Sequence, residues 1–250
     1  MIATLVCSAL RWYPFAKGVN TFADSRLGHA VANRGTTEIT TLWSGPKVLV
    51  RPNDCMGRRI FLTGAVDRRL ERFCCSFIRS GDTVLDIGAN FGSVSLSLAA
   101  RGARVHAFEP QPELAQLLRK SVALNNYSDI TVHEVALSNR SGKTHFSISA
   151  SNSGLGHIGE TGEILVDMVN AGDYLSGLHL SRVRLVKIDV EGHEVEVFTS
   201  AREWFKALRP EYVVFEAHYN AGITAGLREL GYDIARIHGY DWVAKLPDAD

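Results

Sequence analysis

The stretch Val84-Leu85-Asp86-Ile87-Gly88-Ala89-Asn90-Phe91-Gly92 decides the fold of this chain. Its first residues predict a short buried strand, and its glycines predict a tight turn that leads into a helix from Ser93. Glycine lets a backbone approach a ligand closely because it has no Cβ atom. The Asp86 carboxylate before the turn repels phosphate but accepts hydrogen bonds from hydroxyl or ammonium groups. We therefore expect a nucleoside-like ligand without a pyrophosphate.

The pattern of strand, turn and helix repeats after this stretch. Strands are predicted at residues 84–87, 104–108, 130–137, 183–188, 212–215 and 232–237, with helices at 93–100, 112–126, 194–208 and 221–230. This alternation is typical of an α/β fold with a parallel sheet covered by helices. Residues 143–149 and 164–169 are predicted as added strands, and residues 150–162 as a flexible loop that faces the substrate.

The chain before residue 66 has a different pattern. Residues 38–43, 47–51 and 59–63 are rich in β-branched and apolar side chains, which predicts small antiparallel strands. Apolar residues at helical spacing predict a helix at 67–78. We expect an N-terminal extension of short helices and strands at residues 1–65 and one main domain at 66–250.

Composition and charge narrow the class of protein. The chain has 250 residues, 46% of them hydrophobic, and a formal net charge of zero. A neutral chain lacks the positive charge expected of a nucleic-acid binder, so we expect no nucleic-acid partner.

The cysteines and the N-terminus bear on the compartment. Cys74 and Cys75 lie in an apolar run and no CxxC pair occurs, which favours a reducing, cytoplasmic compartment. The apolar residues 1–10 lack a basic region and a cleavage site, and they are too short to span a bilayer. We expect no transmembrane segment, with weak peripheral membrane contact left open.

Three acidic residues stand where predicted strands end: Asp86, Glu109 and Asp189. The carboxyl ends of parallel strands border one crevice, so these side chains are expected to converge. Glu109 follows Asp86 by 109 − 86 = 23 residues, close to the spacing at which an acid accepts hydrogen bonds from both ribose hydroxyls. Capping of the next helix is the alternative role for Glu109.

Two ligands suit a glycine turn followed by a ribose-binding acid: a dinucleotide and S-adenosylmethionine. The dinucleotide fingerprint G-x-G-x-x-G holds a pyrophosphate at a helix N-terminus. Here an acid precedes the first glycine and Asn90 stands between Gly88 and Gly92. The pattern favours S-adenosylmethionine, whose methionine part carries an ammonium and a carboxylate instead of phosphates.

Four strings in the chain resemble the FkbM family of S-adenosylmethionine-dependent O-methyltransferases. They are Asp86-Ile-Gly-Ala-Asn-Phe-Gly92, Phe108-Glu109-Pro110, Val135-Ala-Leu-Ser138 and Lys187-Ile-Asp-Val-Glu-Gly-His-Glu194. The resemblance covers about residues 81–216, and the last string is its most specific part.

The resemblance implies a Rossmann-like, seven-stranded methyltransferase fold within residues 66–250. It also implies methylation of a hydroxyl on a sugar or a polyketide, with the fucose of a lipo-oligosaccharide as one candidate acceptor. Asp86, with Gly88, Asn90 and Gly92, would hold the methionine end of the cofactor and Glu109 the ribose. The Asp189 region would face the methyl group.

A sugar hydroxyl is a weak acid, so a group that accepts its proton is useful. His193 is the first candidate because a neutral imidazole accepts a proton near neutral pH, although a histidine in a first helical turn is as often structural. Asp189 and Glu191 are alternatives, and His218 is a weaker one. The Asp189-x-Glu191 spacing also suits a divalent cation, but two oxygen ligands do not fill a coordination shell, so we expect no metal.

Two other functions remain open from the residues alone. One is a non-catalytic module that binds the cofactor. The other is an NAD(P)-dependent oxidoreductase, which Asp86 and Asn90 disfavour.

Overall fold

Short helices and one hairpin make up the N-terminal part of the chain. The computed structural model describes residues 10, 19–32, 36–149, 151–216 and 221–249. The first elements are α1 (Val19–Ala23), α2 (Arg26–Ala32), β1 (Glu38–Thr41), β2 (Lys47–Val50), α3 (Cys55–Thr63) and α4 (Arg68–Ser76). Strands β1 and β2 pair antiparallel, which confirms the first two of the three small strands predicted there.

The third small strand, predicted at residues 59–63, is wrong because these residues form part of helix α3. The Asp54 carboxylate caps the helix by accepting a hydrogen bond from the Gly57 backbone N–H at 2.9 Å. Gly64 ends it in the left-handed region at φ +79°. Ile60, Phe61 and Leu62 are all buried, so the hydrophobic periodicity of this run does not separate a strand from a helix.

Strands and helices alternate from residue 83 onward. They are β3 (Thr83–Ile87), α5 (Ser93–Ala99), β4 (Arg104–Phe108), α6 (Pro112–Leu124), β5 (Ile130–His133), β6 (Ala136–Ser138), β7 (Gly142–Ser147), β8 (His157–Gly159), β9 (Ile164–Asn170), α7 (Ala171–Gly177), β10 (Leu185–Ile188), α8 (Glu194–Ser200), α9 (Arg202–Leu208), β11 (Tyr212–Glu216), α10 (Ala221–Glu229), β12 (Asp233–His238) and β13 (Asp241–Lys245). A short 3₁₀ helix, Ser153–Leu155, precedes β8.

Seven of these strands form the central sheet, in the order β12-β13-β11-β10-β3-β4-β5. β3, β4, β5, β10 and β11 are parallel, and β13 runs antiparallel between β11 and β12. This order confirms the predicted Rossmann-like, seven-stranded fold. The chain runs outward from β3 to β5 and then returns to β10 on the other side of β3. Ligands of open α/β sheets bind at such a switch point, outside the carboxyl ends of the strands.

Three predicted elements differ from the structure. The strand predicted at 130–137 is divided: β5 joins the central sheet, whereas β6 pairs with β9 in a second sheet. The helix predicted to run to residue 208 is interrupted at Ala201, between α8 and α9. The last strand is not β12, because Gly239 at φ +53° lies in the turn that leads into β13. Local alternation of apolar residues does not reveal which sheet a strand joins.

The second sheet has four strands, in the order β6-β9-β7-β8. It lies in the chain between β5 and β10 and includes part of the segment predicted as a flexible loop. Ser153 in this segment is buried, and its backbone N–H and hydroxyl both donate to the Asp54 carboxylate. Its hydroxyl also lies 3.2 Å from the Asn90 side-chain nitrogen. Residues 151–156 are therefore held between helix α3 and the turn after β3.

The core covers both faces of the central sheet. Val84 packs in one apolar cluster with Leu96 and Leu118, whereas its neighbour Leu85 packs in the other with Phe205. Successive side chains of a strand point to opposite faces, so strands buried on both faces read as continuous apolar runs. None of the helices in the described part of the chain has the length and apolarity that crossing a bilayer requires.

Candidate functional site

A cavity of about 270 Å³ lies at the carboxyl ends of the central strands. Its wall includes residues 87–90 after β3, residues 108–111 after β4, and residues 187 and 189–191 at the end of β10. Residues of helix α4 and of the second sheet also line it. Of the three strand-end acids expected to converge, Glu109 and Asp189 line this cavity.

The glycine turn, residues 88–92, is in close contact with other parts of the protein. Gly88 has φ +83°, and a Cβ atom there would lie 1.9 Å from the Asp189 backbone oxygen. Gly92 has φ +82°, and its Cβ would lie 2.2 Å from a methyl group of Leu118. Asn90, also at positive φ, lines the cavity beside Ser153. Both glycines are therefore required for the packing that shapes the cavity.

Asp86 lies beneath the cavity and is fully buried. One of its carboxylate oxygens accepts a hydrogen bond from the Ser95 hydroxyl at 2.6 Å. The other lies 3.3 Å from the Lys187 ammonium nitrogen. The contact between Asp86 and the methionine end of the cofactor stays a prediction, and this carboxylate already has an ammonium partner within the protein.

Lys187 connects the two strands that meet at the switch point. It stands opposite Asp86 in the register of β10 and β3, so both side chains point to the same face of the sheet. Its ammonium nitrogen lies 3.2 Å from the Asp189 carboxylate and 3.4 Å from the Gly88 backbone oxygen. Burial lowers the pKa of Lys187, but Asp189 and Asp86 outweigh this effect and hold it above its ordinary value. Lys187 thus remains charged and ties the glycine turn to Asp189.

Glu109 accepts hydrogen bonds from the backbone and also lines the cavity. Its two oxygens accept hydrogen bonds from the backbone N–H groups of Asn90 and Gln111, at 2.8 and 2.9 Å. Burial raises the pKa of Glu109 to about 7, against these hydrogen bonds. Each carboxylate oxygen has a second lone pair, so Glu109 retains the capacity to accept hydrogen bonds from two ribose hydroxyls.

His193 precedes helix α8, and its ring is within hydrogen-bonding distance of Ser138. Its Nε2 atom lies 2.8 Å from the Ser138 hydroxyl, and its Nδ1 atom lies 3.7 Å from the Glu196 carboxylate. The sequence left open a structural, hydrogen-bonded role for His193, and its contact with Ser138 is of that kind, although the side chain does not cap the helix. Burial lowers the pKa of His193, so the ring is neutral near pH 7. His193 lines the cavity, while Ser138 occupies one of its ring nitrogens.

A group of carboxylates lies at the end of the cavity near β10 and β11. Oxygen atoms of Asp189, Glu191 and Glu216 all lie within 4.8 Å of one another. Glu191 is exposed as a residue, yet its carboxyl group is desolvated and near Asp189 and Glu216, which raises its pKa to about 8. Glu216 adds a third oxygen ligand to the two that the sequence suggested for a cation. The absence of a metal nonetheless stays our prediction, because three clustered acids are common without one.

Three residues of this site received no role from the sequence. Lys187 and Ser138 are charged or polar residues within apolar strands, a signal that predicts a buried partner but not its identity. Glu71 lies on helix α4, three residues before Cys74, and so shares its buried face. His218, the weaker candidate for proton transfer, lies outside the described residues.

The walls of the cavity fit S-adenosylmethionine. Apolar side chains suited to an adenine ring are among the lining residues, namely Phe108, Val135, Leu137, Phe146 and Ile158. Glu109 offers acceptors for ribose hydroxyls, and the Asp189 carboxylate offers negative charge to a sulfonium. A Cβ atom at Gly88 would clash with the Asp189 backbone, so this part of the wall requires glycine.

Part of the chain is similar to curated methyltransferases of ribosomal RNA. Ribosomal RNA small subunit methyltransferase A from Mycobacterium bovis (strain BCG / Pasteur 1173P2) is 34% identical over 106 residues, which are 42% of this chain and 32% of that protein. The chain thus spans about a third of the length of such curated relatives.

Solved structures with low identity also resemble the chain. A Pyrococcus abyssi tRNA (uracil-54, C5)-methyltransferase in complex with S-adenosyl-L-homocysteine has 17% identity and a TM-score of 0.48, covering 84% of this chain and 44% of that one. Precorrin-6y C5,15-methyltransferase from Geobacter metallireducens has 14% identity and a TM-score of 0.45, covering 72% and 89%.

The family comparison covers more of the chain than these relatives do. Residues 86–237, more than half of the chain, match the Methyltransferase FkbM domain and include the glycine turn, Glu109 and strand β10 with Asp189 after it. The chain therefore belongs to the FkbM family of S-adenosylmethionine-dependent methyltransferases.

Proposed function

We propose that this protein transfers the methyl group of S-adenosylmethionine to a hydroxyl oxygen of a sugar, with a polyketide-type hydroxyl as the other acceptor of this class. The observation that carries the proposal is the group of carboxylates at the cavity end near β10 and β11: Asp189, Glu191 and Glu216. Carboxylates accept hydrogen bonds from hydroxyl groups and repel phosphate. An uncharged acceptor with several hydroxyls suits such a wall.

The residues at this end have separate roles in the proposed reaction. The cofactor supplies a methyl group bonded to a positively charged sulfur, which makes that carbon electrophilic. Asp189, held by Lys187, orients the acceptor hydroxyl and takes its proton. His193 is the second candidate for proton transfer, because the neutral ring must first exchange Ser138 for the acceptor. Glu191, whose pKa is about 8, is protonated at neutral pH and donates a hydrogen bond there.

An acceptor screen with isotope-labelled cofactor tests the proposal. The purified protein is incubated with methyl-labelled S-adenosylmethionine and, separately, with cell glycans, lipo-oligosaccharides, polyketides and total RNA, and products are analysed by mass spectrometry. We expect a gain of one methyl group on a sugar hydroxyl. Glu109→Ala, which removes the ribose-binding acid, is expected to abolish the gain. Label on RNA alone would contradict the proposal.

RNA is the second candidate acceptor because the curated relatives are named as ribosomal RNA methyltransferases. A net charge of zero and an acidic cavity end favour an uncharged acceptor over a phosphate backbone. Cofactor binding with no label on any acceptor would instead support the non-catalytic module.

Glu109 predicts a pH dependence of nucleoside binding. Its pKa of about 7 means that it is largely protonated at pH 6 and ionised at pH 8, and the ionised form accepts hydrogen bonds from both ribose hydroxyls. We expect the affinity for 5′-methylthioadenosine to rise about 10-fold between pH 6 and pH 8, as linkage to one such proton requires. Calorimetric titrations at several pH values measure this change. Glu109→Gln is expected to bind weakly without this rise; an unchanged pH dependence in that variant would exclude Glu109 as its source.

A further inference from the structure

The ammonium group of the cofactor needs a partner other than Asp86. The Asp86 carboxylate is fully buried and does not line the cavity. Its two oxygens face the Ser95 hydroxyl and the Lys187 ammonium. A second ammonium group at Asp86 would have to displace Lys187, which is itself buried and held by Asp189.

Glu71 is a second buried carboxylate that lines the cavity. It projects from helix α4 and is 1% exposed. The Trp43 indole N–H donates to one of its oxygens at 2.6 Å, and the Val66 backbone N–H donates to the other at 3.2 Å. It also forms a hydrogen bond with Ser93, the first residue of the helix that follows the glycine turn. Glu71 therefore contacts the start of the helix after the turn, whereas Glu109 contacts the turn itself at Asn90.

The partners of Glu71 satisfy its hydrogen bonds without neutralising its charge. Trp43, Val66 and Ser93 donate as uncharged groups, and a carboxylate accepts about four hydrogen bonds. Burial outweighs these bonds and raises the pKa of Glu71 to about 7. A cation beside it would offset the desolvation of the carboxylate, and the α-ammonium of methionine is such a cation.

We propose that Glu71, oriented by Ser93, binds the α-ammonium group of S-adenosylmethionine in place of Asp86. The inference rests on the proposed function, since it requires that the cavity binds this cofactor. Asp86 then acts through Lys187, as the buried counter-ion that positions the glycine turn. The methionine end is thereby recognised by helix α4, which precedes the stretch matched by the family.

Two ligands that differ in the amino-acid part separate this role from a structural one. S-adenosylhomocysteine carries the ammonium group, whereas 5′-methylthioadenosine has the same adenosine and sulfur without it. Calorimetry with both ligands is applied to the wild type, Glu71→Gln and Asp86→Asn, with thermal unfolding as a check of folding. Glutamine retains the size of Glu71 and still accepts from Trp43.

We expect Glu71→Gln to lower the affinity for S-adenosylhomocysteine about 10- to 100-fold, the range for a lost hydrogen bond to a charged group. The affinity for 5′-methylthioadenosine is expected to change by less than about 2-fold. Asp86→Asn is expected to change the affinities for both ligands by the same factor. Equal weakening of both ligands in Glu71→Gln, or selective weakening of S-adenosylhomocysteine in Asp86→Asn, would overturn the inference.

Two other outcomes need separate treatment: a variant that does not fold, and a wild type that binds neither ligand. If Glu71→Gln does not fold, Ser93→Ala is measured in the same way and must weaken S-adenosylhomocysteine selectively; equal effects on both ligands would reject the inference. If the wild type binds neither ligand, the proposed function fails and the inference fails with it.

Discussion

Replacing Lys187 with Met is expected to lower the free energy of unfolding by about 3–5 kcal/mol, the usual result of removing one partner from a buried ion pair. Asp86 is fully buried and would lose its cation, while Met fills a similar volume. Urea unfolding followed by circular dichroism measures the change. The Ser95 hydroxyl still donates to Asp86 in this variant but cannot neutralise a buried charge.

Two variants control for this prediction. The double variant Asp86→Asn/Lys187→Met removes both charges and is expected to recover at least half of the lost stability. Lys143→Met removes an exposed ion pair with Asp167 and is expected to cost less than about 1 kcal/mol. A loss below about 1 kcal/mol in Lys187→Met, or no recovery in the double variant, would show that the pair is not what stabilises the turn.

Replacing Gly88 with Ala is expected to lower the affinity for S-adenosylhomocysteine about 100-fold or more, since a displacement of about 1 Å in a binding site has effects of this size. The new Cβ would lie 1.9 Å from the Asp189 backbone oxygen, so the ends of β3 and β10 must separate. Positive φ adds strain for any residue with a Cβ atom. Calorimetry at a temperature where the variant is folded measures the affinity.

Gly81→Ala is the matched control. Gly81 has φ +87°, close to the +83° of Gly88, but no atom lies within 4 Å of its added Cβ. The backbone strain is thus shared, at about 1–2 kcal/mol, and only the steric contact differs. We expect Gly81→Ala to retain cofactor affinity and to be at least about 1–3 kcal/mol more stable than Gly88→Ala, the usual range for overpacking. Equal behaviour of the two variants would assign the whole effect to φ.

The positions of the site residues divide into those near in sequence and those brought together by folding. Gly88, Asn90 and Glu109 are read from local patterns, because a strand end, a turn and the next strand end are neighbours in any parallel sheet of this kind. The contacts of Asp86 and His193 are not local: Lys187 and Ser138 lie 101 and 55 residues away along the chain. Their proximity depends on strand order and on the path of the second sheet.

The hydrophobic pattern of a short segment does not distinguish a buried strand from a buried helix. Ile60, Phe61 and Leu62 are three consecutive buried apolar residues, and the Asp54 and Gly64 caps decide that they are helical. Asp54 in turn accepts from Ser153, so the same cap that starts helix α3 also holds the wall of the cavity. Asp54 and Ser153 lie 99 residues apart along the chain, so no local sequence pattern connects them.

The sequence by itself determined the alternating α/β fold, the glycine turn and the acids at the strand ends, because these depend on periodicity and on residue conformations that act within a few positions. The tertiary structure alone decided which charges meet. Register places Lys187 opposite Asp86, so the acid that local pattern assigned to the cofactor also lies 3.3 Å from an ammonium group of the protein itself. Electrostatic partners depend on distance in space, and only the folded sheet supplies that distance.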